Sequence, residues 1–347
     1  FLNSRLNFTG DYFIRDTEGM LAKSYVLPSV FGAKEPKENC ADLRTKGWEL
    51  SLNWNDSFAL MGKRFNYTVS ASLGDNKTVI TKYNNPEKLL TDYYEGMVLG
   101  EIWGYRVDGL FTSDEEATEY TSKINQDFVN ARILSDKVDP YYRAGDLKFR
   151  DLDNNNVINK GDDTVYDPGD REIIGNETPR YNYSFRLGAD WNGFDLGIFF
   201  QGVGKRDWYP NHLSTGFWGP YSRAFTSFIP ENFMDQCWSE ENPGGYFPRF
   251  RGYQTFKDSQ LGVNNDRYLQ NASYIRLKNL TVGYTLPVLK KVFTKLRVYF
   301  TGENLWYWSP MKKYTKYIDP EAAGGNGNTG MAYNYSRNFS VGVDITF

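Results

Sequence analysis

Apolar and polar residues alternate strictly along several stretches of the chain. These stretches cover residues 48–55, 65–73, 181–191, 194–200, 280–286, 296–300 and 338–347. In the last of them the apolar positions are Phe339, Val341, Val343, Ile345 and Phe347. Segments of roughly ten residues with period two are what a strand needs to cross a bilayer within a β-barrel. The strands of a soluble β-sandwich also alternate, so this pattern alone predicts a sheet and leaves both architectures open.

The connections between the alternating stretches are short and long in turn. The short ones are Asn192-Gly193 and residues 56–63 and 287–294, whereas the long ones cover about 18–43, 76–180, 205–273 and 306–333. Outer-membrane barrels have short periplasmic turns and long extracellular loops. If the last strand ends in the periplasm at Phe347, every short link lies there and every long link lies outside. This parity predicts an all-β protein, an antiparallel transmembrane β-barrel in which 76–180 and 205–273 are large extracellular loops.

The residues expected to face the lumen indicate part of a larger barrel. They are mostly Asn, Ser, Thr, Gly, Asp and Arg, which are small or polar. A barrel of about eight strands is just wide enough for side chains to fill, and these residues fit a wide, wet lumen better. We therefore expect the chain to supply about eight strands, which are the last strands of a larger barrel. A phase slip near Lys278-Asn279 predicts a β-bulge.

Composition narrows the classes of function. A formal net charge of −3 argues against a nucleic-acid partner, which would need a strongly basic face. No apolar run is long enough for a transmembrane helix. The mean hydropathy of −0.61 still permits a barrel, because only alternate strand residues would meet lipid. The chain begins without the basic and apolar regions of a signal peptide, so we expect it to be processed or truncated.

Few residues offer catalytic chemistry. The single histidine, His212, excludes a multi-histidine metal site and argues against a Ser–His–Asp triad. No carboxylate pair stands out by its spacing, as a glycoside hydrolase would require. Cys40 and Cys237 are far apart, and a disulfide and free thiols are both open. We predict that the chain is not an enzyme, with a soluble β-rich carbohydrate-binding protein as the alternative to a membrane receptor.

One segment has the spacing of a calcium loop. Between residues 151 and 162, side-chain oxygens fall at positions one, three, five and twelve: Asp151, Asp153, Asn155 and Asp162, with the carbonyl of Val157 at seven. Hard cations need clustered oxygen ligands, and alternate residues of a tight loop converge on one point. Asn156 takes the sharp-turn position, where Asn tolerates a left-handed conformation. The sequence predicts a weak extracellular Ca²⁺ site, and a solvated turn without an ion is the alternative.

Short motifs along nearly the whole chain resemble those of one family. The motifs are Lys46-Gly47-Trp48-Glu49-Leu50, Gly145-Asp146-Leu147-Lys148-Phe149, Phe200-Gln201-Gly202, residues 271–280 (NASYIRLKNL), Gly283-Tyr284-Thr285-Leu286-Pro287, Gly302-Glu303-Asn304-Leu305, Asp319-Pro320-Glu321 and the terminal Phe347. In this order they resemble the C-terminal part of SusC/RagA-type TonB-dependent outer-membrane transporters of the Bacteroidetes.

The resemblance implies a fold, partners and an activity. It implies a 22-stranded barrel with an N-terminal plug, a SusD-like surface lipoprotein as a lid, and energy supplied by the TonB complex. It also implies import of oligosaccharides or oligopeptides across the outer membrane. The plug and the TonB box of the family are absent from this chain, so we expect it to be a fragment of a longer chain.

Aromatic residues are candidates for ligand or lid contacts. Six of them cluster within 205–273: Trp208, Tyr209, His212, Phe217, Trp218 and Tyr221. They predict either a surface that stacks on sugar rings or docks the lid, or a small core within the loop. The same two interpretations apply to Tyr93, Tyr94, Trp103 and Tyr105. The tryptophans at predicted strand ends, Trp48, Trp54, Trp191 and Trp306, predict an aromatic girdle. The run Asp114-Glu115-Glu116 predicts the start of a helix.

Overall fold

The computed structural model describes residues 1–23, 32, 37–223, 225, 229–256, 258–287, 294–324 and 333–347. Eight long strands dominate it. They are β1 (Leu6–Lys23), β2 (Lys37–Leu60), β3 (Lys63–Lys82), β4 (Arg180–Trp191), β5 (Phe194–Lys205), β6 (Tyr274–Leu286), β7 (Lys295–Trp308) and β8 (Asn338–Thr346).

The long strands form one sheet in sequence order. Each strand from β1 to β8 pairs with the next, and every pairing is antiparallel. This meander confirms the predicted antiparallel barrel architecture and the predicted alternation of strand directions. The long connections therefore share one end of the sheet, the loop end, and the short links share the other, the turn end.

Two-residue turns close the hairpins at the turn end. Asn192-Gly193 joins β4 to β5, as predicted, and both residues have positive φ (51° and 88°). Met61-Gly62 joins β2 to β3 with φ of 48° and 74°. Such left-handed pairs match the twist of the flanking strands. The second link is shorter than the expected 56–63, because pairing continues to Leu60 and Lys63. The link at 287–294 lies mostly outside the described residues.

Several strands also reach further at the loop end than the alternation indicates. β1 continues to Lys23 and β2 begins at Lys37, so half of the expected loop over 18–43 is strand, and most of residues 24–36 lie outside the described part. β3 similarly runs past residue 76 to Lys82. Polar residues occupy both faces of these extensions. The apolar–polar contrast that marks a strand in the sequence is therefore missing there.

The two faces of the sheet differ in chemistry. One row in register across four strands is Val69, Leu187, Ile198 and Leu280, and the adjacent row on the other face is Ser70, Arg186, Phe199 and Asn279. We call the first the outer face and the second the inner face. A shift of register between Leu277 and Asn279 confirms the predicted bulge in β6.

Short elements occupy the long loops. The helices are α1 (Asp114–Lys123), α2 (Ala131–Leu134) and α3 (Thr215–Trp218), with 3₁₀ turns at Asp127–Val129, Gly219–Tyr221, Met234–Gln236 and Pro310–Lys313. Short strands pair Glu101–Tyr105 with Arg171–Asn176, Val107–Leu110 with Leu147–Phe149, Asp207–Trp208 with Gln270–Asn271, and Cys237–Trp238 with Phe247–Arg249. α1 starts at the predicted acidic run, with Ser113 as its cap. Among the described helices, none has the length and apolarity to span a bilayer.

The loops pack on one another at the loop end. We number the long loops from the one between β3 and β4 (first), through the one between β5 and β6 (second), to the one between β7 and β8 (third). Their shared hydrophobic cluster, the loop core, takes Leu147 and Phe149 from the first long loop, Trp218 and Phe247 from the second, and Met311 from the third. All five side chains are buried. Segments that are distant in sequence therefore form one assembly above the sheet, which fixes the positions of the candidate sites.

Candidate functional site

The predicted aromatic cluster lies mostly inside the loop core. Trp208, Tyr209, Phe217, Trp218 and Tyr221 are buried, and only His212 is exposed. The indole Nε1 of Trp218 donates to the carbonyl of Asn211 at 3.0 Å, and the ring meets Phe217 edge-on at 4.7 Å between centroids. Burial raises the pKa of the Tyr221 hydroxyl, which stays protonated and donates to the carbonyl of Pro248. A buried ring offers no face to a ligand, so these five residues belong to the loop core, which is the alternative interpretation.

The second predicted aromatic group, from the first long loop, also contains both buried and exposed residues. Tyr94 and Tyr105 are buried, Trp103 is half-buried, and Tyr93 is exposed. The hydroxyl of Tyr94 donates to Glu101 Oε2 at 2.6 Å, which ties the loop to the start of its first short strand. Only Tyr93 keeps a ring surface open to solvent.

A different set of aromatic residues forms a ribbon on the surface. The ring centroids of His212 and Phe256 are 6.1 Å apart, those of Phe256 and Tyr253 5.6 Å, and those of Tyr253 and Phe225 5.9 Å. The guanidinium of Arg132 lies 5.3 Å from the Tyr253 ring centre. Phe225 is 82% exposed, so this aromatic ribbon presents ring faces to solvent. Of its four aromatic members, only His212 was predicted from the sequence. The other three are not regularly spaced along the chain, so no sequence pattern indicates them.

Three carboxylates meet at the predicted calcium loop. Oxygen atoms of Asp151, Asp153 and Asp170 all lie within 4.8 Å of one another. Asp151 Oδ2 accepts from the backbone N–H of Asn156 at 2.8 Å, and one oxygen of Asp151 is buried without a hydrogen-bond partner. Asn156 has φ of +65°, the left-handed conformation expected of it. The loop thus gathers negative charge at one point, which is the chemistry of a hard-cation site.

Asp170 is the member that the sequence did not indicate. It lies outside the twelve-residue spacing and is fully buried. Its two oxygens accept from the backbone N–H groups of Leu152 and Asn159, each at 2.8 Å. Burial raises the pKa of Asp170, and the neighbouring charges of Asp153 and Asp151 raise it further. A bound cation would offset the cost of this buried negative charge.

The remaining predicted ligands make other contacts. The side-chain oxygen of Asn155 accepts from the N–H of Val157 at 2.7 Å, and the carbonyl of Val157 accepts from Asn159 Nδ2 at 2.9 Å. Among the described residues, the carboxylate of Asp162 does not join the cluster. Its backbone N–H instead donates to Asp167 Oδ2 at 3.1 Å.

A buried ionic network fastens the third loop to the sheet. Arg276 on β6 pairs with Asp319, and both side chains are buried. Glu321 lies 3.1 Å from Arg276 Nε and 2.9 Å from Lys278 Nζ. The Tyr307 ring of β7 stacks under Arg276 at 4.7 Å. The matched motifs NASYIRLKNL and Asp319-Pro320-Glu321 therefore meet in space and position the loop over the inner face.

The predicted girdle tryptophans lie on the long strands. Trp306 is half-exposed at the loop end of the outer face, and Trp48, Trp54 and Trp191 are partly buried. Trp191 donates from Nε1 to the carbonyl of Leu60 at 3.2 Å at the turn end.

The chain is similar in sequence to several proteins named TonB-dependent receptors. The chain is 27% identical over 374 residues to TonB-dependent receptor P3 of Formosa agariphila and 22% identical over 358 residues to TonB-dependent receptor SusC of Bacteroides thetaiotaomicron. The matches cover 99% and 100% of this chain, but 33% and 31% of those proteins. The chain therefore spans about a third of the length of these relatives. No family model matches the chain.

Solved structures show the same fold. The RagAB peptide transporter superposes with a TM-score of 0.67 at 22% identity, covering 99% of this chain and 34% of that one. The RagAB peptide importer in its open-open state gives 0.65. The eight-stranded sheet with its loop assembly thus has the fold of about a third of the RagAB transporter chain. The relatives are TonB-dependent receptors including SusC, which confirms the resemblance to the SusC/RagA type.

Proposed function

We propose that the chain forms part of the barrel and the extracellular loops of an outer-membrane importer. The observation that carries this proposal is the outer face, where apolar side chains lie in register from strand to strand. Many remain exposed, for example Val341 on β8 at 77%. A soluble sandwich would cover such a face with a second large sheet, and the other sheets of the described residues are four two-stranded ones in the long loops. Lipid would cover it in a barrel.

The height of the apolar face supports the same conclusion. On β3 it extends from Phe65 to Leu73. Eight steps of about 3.4 Å, tilted by about 40°, span roughly 20 Å along the membrane normal. Transmembrane barrels carry an apolar band of about 25 Å. The turn end then lies in the periplasm and the loop end outside the cell.

We propose that transport depends on TonB and on a SusD-like lipoprotein lid over the loop end. The relatives' names support TonB dependence, and the likeness to SusC supports the lid. The ligand would be an oligosaccharide or an oligopeptide. We assign the contact with ligand or lid to the aromatic ribbon rather than to the buried cluster, because Phe225 and His212 keep exposed rings.

A calcium ion in the loop 151–170 is a second proposal. The convergence of Asp151, Asp153 and Asp170 supports it, and so does the buried, unpartnered oxygen of Asp151. The ion would stiffen the first long loop by holding two of its segments together. Extracellular sites of this kind bind at about 10⁻⁴–10⁻³ M.

The membrane proposal is tested with the protein extracted from outer membranes. We expect extraction to require detergent, migration on gels to change on heating, and a lipoprotein to co-purify. Mass spectrometry of the complex would then identify a bound oligosaccharide or peptide. A protein that stays monodisperse without detergent would overturn the proposal in favour of a soluble carbohydrate-binding protein.

A further inference from the structure

A cavity of about 370 Å³ opens beside the loop end of β3 and β4. Lys77, Arg180 and Lys205 supply its positive charges, and Glu101 and Asp207 its negative ones. We call it the basic cavity. Nothing in the proposed import of ligand through the lumen uses it.

The Lys77 side of the basic cavity lies on the outer side of the barrel. Lys77 follows Leu73 by four residues on β3, so both occupy the same face of the strand, and Leu73 belongs to the apolar outer face. Ile102 is buried in the loop core. Its neighbour Glu101, which lines the cavity, therefore faces away from that core. Lys77 therefore opens towards the surroundings of the barrel, whereas Lys205, seven residues after Ile198 on β5, lies on the inner face by the same alternation.

Two lysines beside the basic cavity lie directly opposite each other on neighbouring strands, and their repulsion destabilises the sheet. Lys46 on β2 is the direct cross-strand partner of Lys77. Like charges directly opposite one another destabilise a sheet. Arg180 is already engaged, because its guanidinium pairs with both oxygens of Asp75. Within the part of the chain that the structure describes, Lys46 and Lys77 form no ion pair. An anion between the lysines would relieve their repulsion.

The acidic residues of the cavity are already engaged. Glu101 accepts hydrogen bonds from the Tyr94 hydroxyl and, at 2.9 Å, from the backbone N–H of Val98. Asp207 accepts from the N–H of Asn176 at 2.9 Å. These bonds hold the loop strands in place and use oxygens that would otherwise face the lysines. The lysine side chains stay available to an external anion.

The height of the cavity identifies the source of that anion. Lys77 lies four residues beyond Leu73, about 13 Å further along the strand. The polar headgroup layer begins where the hydrocarbon ends and is several ångströms deep, since the whole bilayer is roughly 10–15 Å thicker than its core. With a strand tilt of about 40° this is roughly 10 Å along the membrane normal, so Lys46 and Lys77 lie at the outer edge of the headgroup layer.

We propose that Lys46 and Lys77 bind the phosphate groups of a phosphorylated glycolipid in the outer leaflet. The proposal rests on the membrane location given under the proposed function. Ammonium groups attract phosphate as point charges, and the cavity is large enough for a phosphorylated sugar. Such a lipid would bind to the outer wall of the barrel next to the first long loop.

The test uses the full receptor, delipidated and reconstituted in nanodiscs of neutral phospholipid. Native mass spectrometry would measure binding of a diphosphorylated lipid A, of its dephosphorylated form and of inorganic pyrophosphate. We expect the phosphorylated lipid to bind most tightly. Replacing both lysines in Lys46→Gln/Lys77→Gln should weaken it about 30-fold, since each lysine near a charged surface contributes about fivefold.

The matched control is Lys137→Gln/Lys316→Gln, which removes the same charge from exposed positions of the loops. It should leave lipid binding unchanged. Equal binding of pyrophosphate and lipid would overturn the lipid as the source, and equal binding of both lipid forms would overturn the phosphate site. In either case insertion into the neutral nanodisc would leave the proposed function intact, whereas failure to insert would count against the membrane location itself.

Discussion

Arg251 and Asp146 form a two-pronged ion pair between the first and second long loops. Nε of Arg251 lies 3.1 Å from one carboxylate oxygen and Nη2 lies 3.0 Å from the other. The side chains are 9% and 0% exposed. Burial raises the pKa of Asp146, and the guanidinium opposes that shift. The charged pair therefore depends on each partner to offset the desolvation of the other.

Replacing Arg251 by Gln should destabilise the loop assembly strongly. Removing one partner of a buried ion pair costs about 3–5 kcal/mol, because the other charge stays buried without compensation. Urea unfolding followed by tryptophan fluorescence would measure the loss, since Trp218 lies in the loop core. The control is Lys123→Gln, which breaks an exposed pair with Glu119 and should cost about 0.5 kcal/mol at most. Equal losses in the two variants would contradict this account.

The sequence predicted the sheet well and the loops poorly, for a physical reason. Alternation of period two is a local property, so β3 or β8 can be recognised without knowing its neighbours. The loop assembly depends on contacts between distant residues: Arg251 and Asp146 are 105 positions apart. Nothing local distinguishes Trp218, which is buried, from Phe225, which is exposed.

The candidate calcium loop also depends on a contact that local sequence spacing does not predict. Asp151 and Asp153 follow a local spacing and were found from it. Asp170 joins them only because the chain folds back after the loop, and the backbone N–H groups of Leu152 and Asn159 hold it there. A spacing rule that ends at position twelve selects Asp162 instead.

A charged side chain introduced on the outer face should lower the free energy of unfolding, and one introduced on the inner face should not. Val69 and Ser70 are adjacent on β3 and face opposite sides, and Val69 is midway between Phe65 and Leu73. Lysine in the middle of the lipid face of a barrel costs about 2–4 kcal/mol. We expect Val69→Lys to lose this much stability in urea unfolding from lipid vesicles. Ser70→Lys, the matched control, should lose little, and equal costs would mean that the outer face does not meet lipid.

The start of α1 should weaken in acid. Glu116 accepts from the hydroxyl and the N–H of Thr112 and from Lys148, which lowers its pKa from 4.5 to about 2. The stabilisation is therefore present above pH 4.5 and is lost as the pH falls towards 2. Hydrogen exchange of the α1 amides should show faster opening across this window. In Glu116→Gln the window should disappear, and an unchanged pH dependence would assign it to another group.

Calcium should stabilise the first long loop through Asp170 and not through Asp162. With a dissociation constant of about 0.5 mM, adding about 5 mM Ca²⁺ stabilises the bound form by about 1.4 kcal/mol. Limited proteolysis of the loop with and without Ca²⁺ measures this shift within each variant, so a general loss of stability does not affect the comparison. We expect Asp170→Asn to abolish the shift, because it removes a clustered carboxylate, and Asp162→Asn to retain it.

The raised pKa of Asp170 adds a pH dependence to calcium binding: protons should compete with the ion at a higher pH than for an ordinary aspartate. A shift lost in Asp162→Asn and kept in Asp170→Asn would restore the twelve-residue ligand set, and no shift in the unmodified protein would mean a solvated turn without an ion.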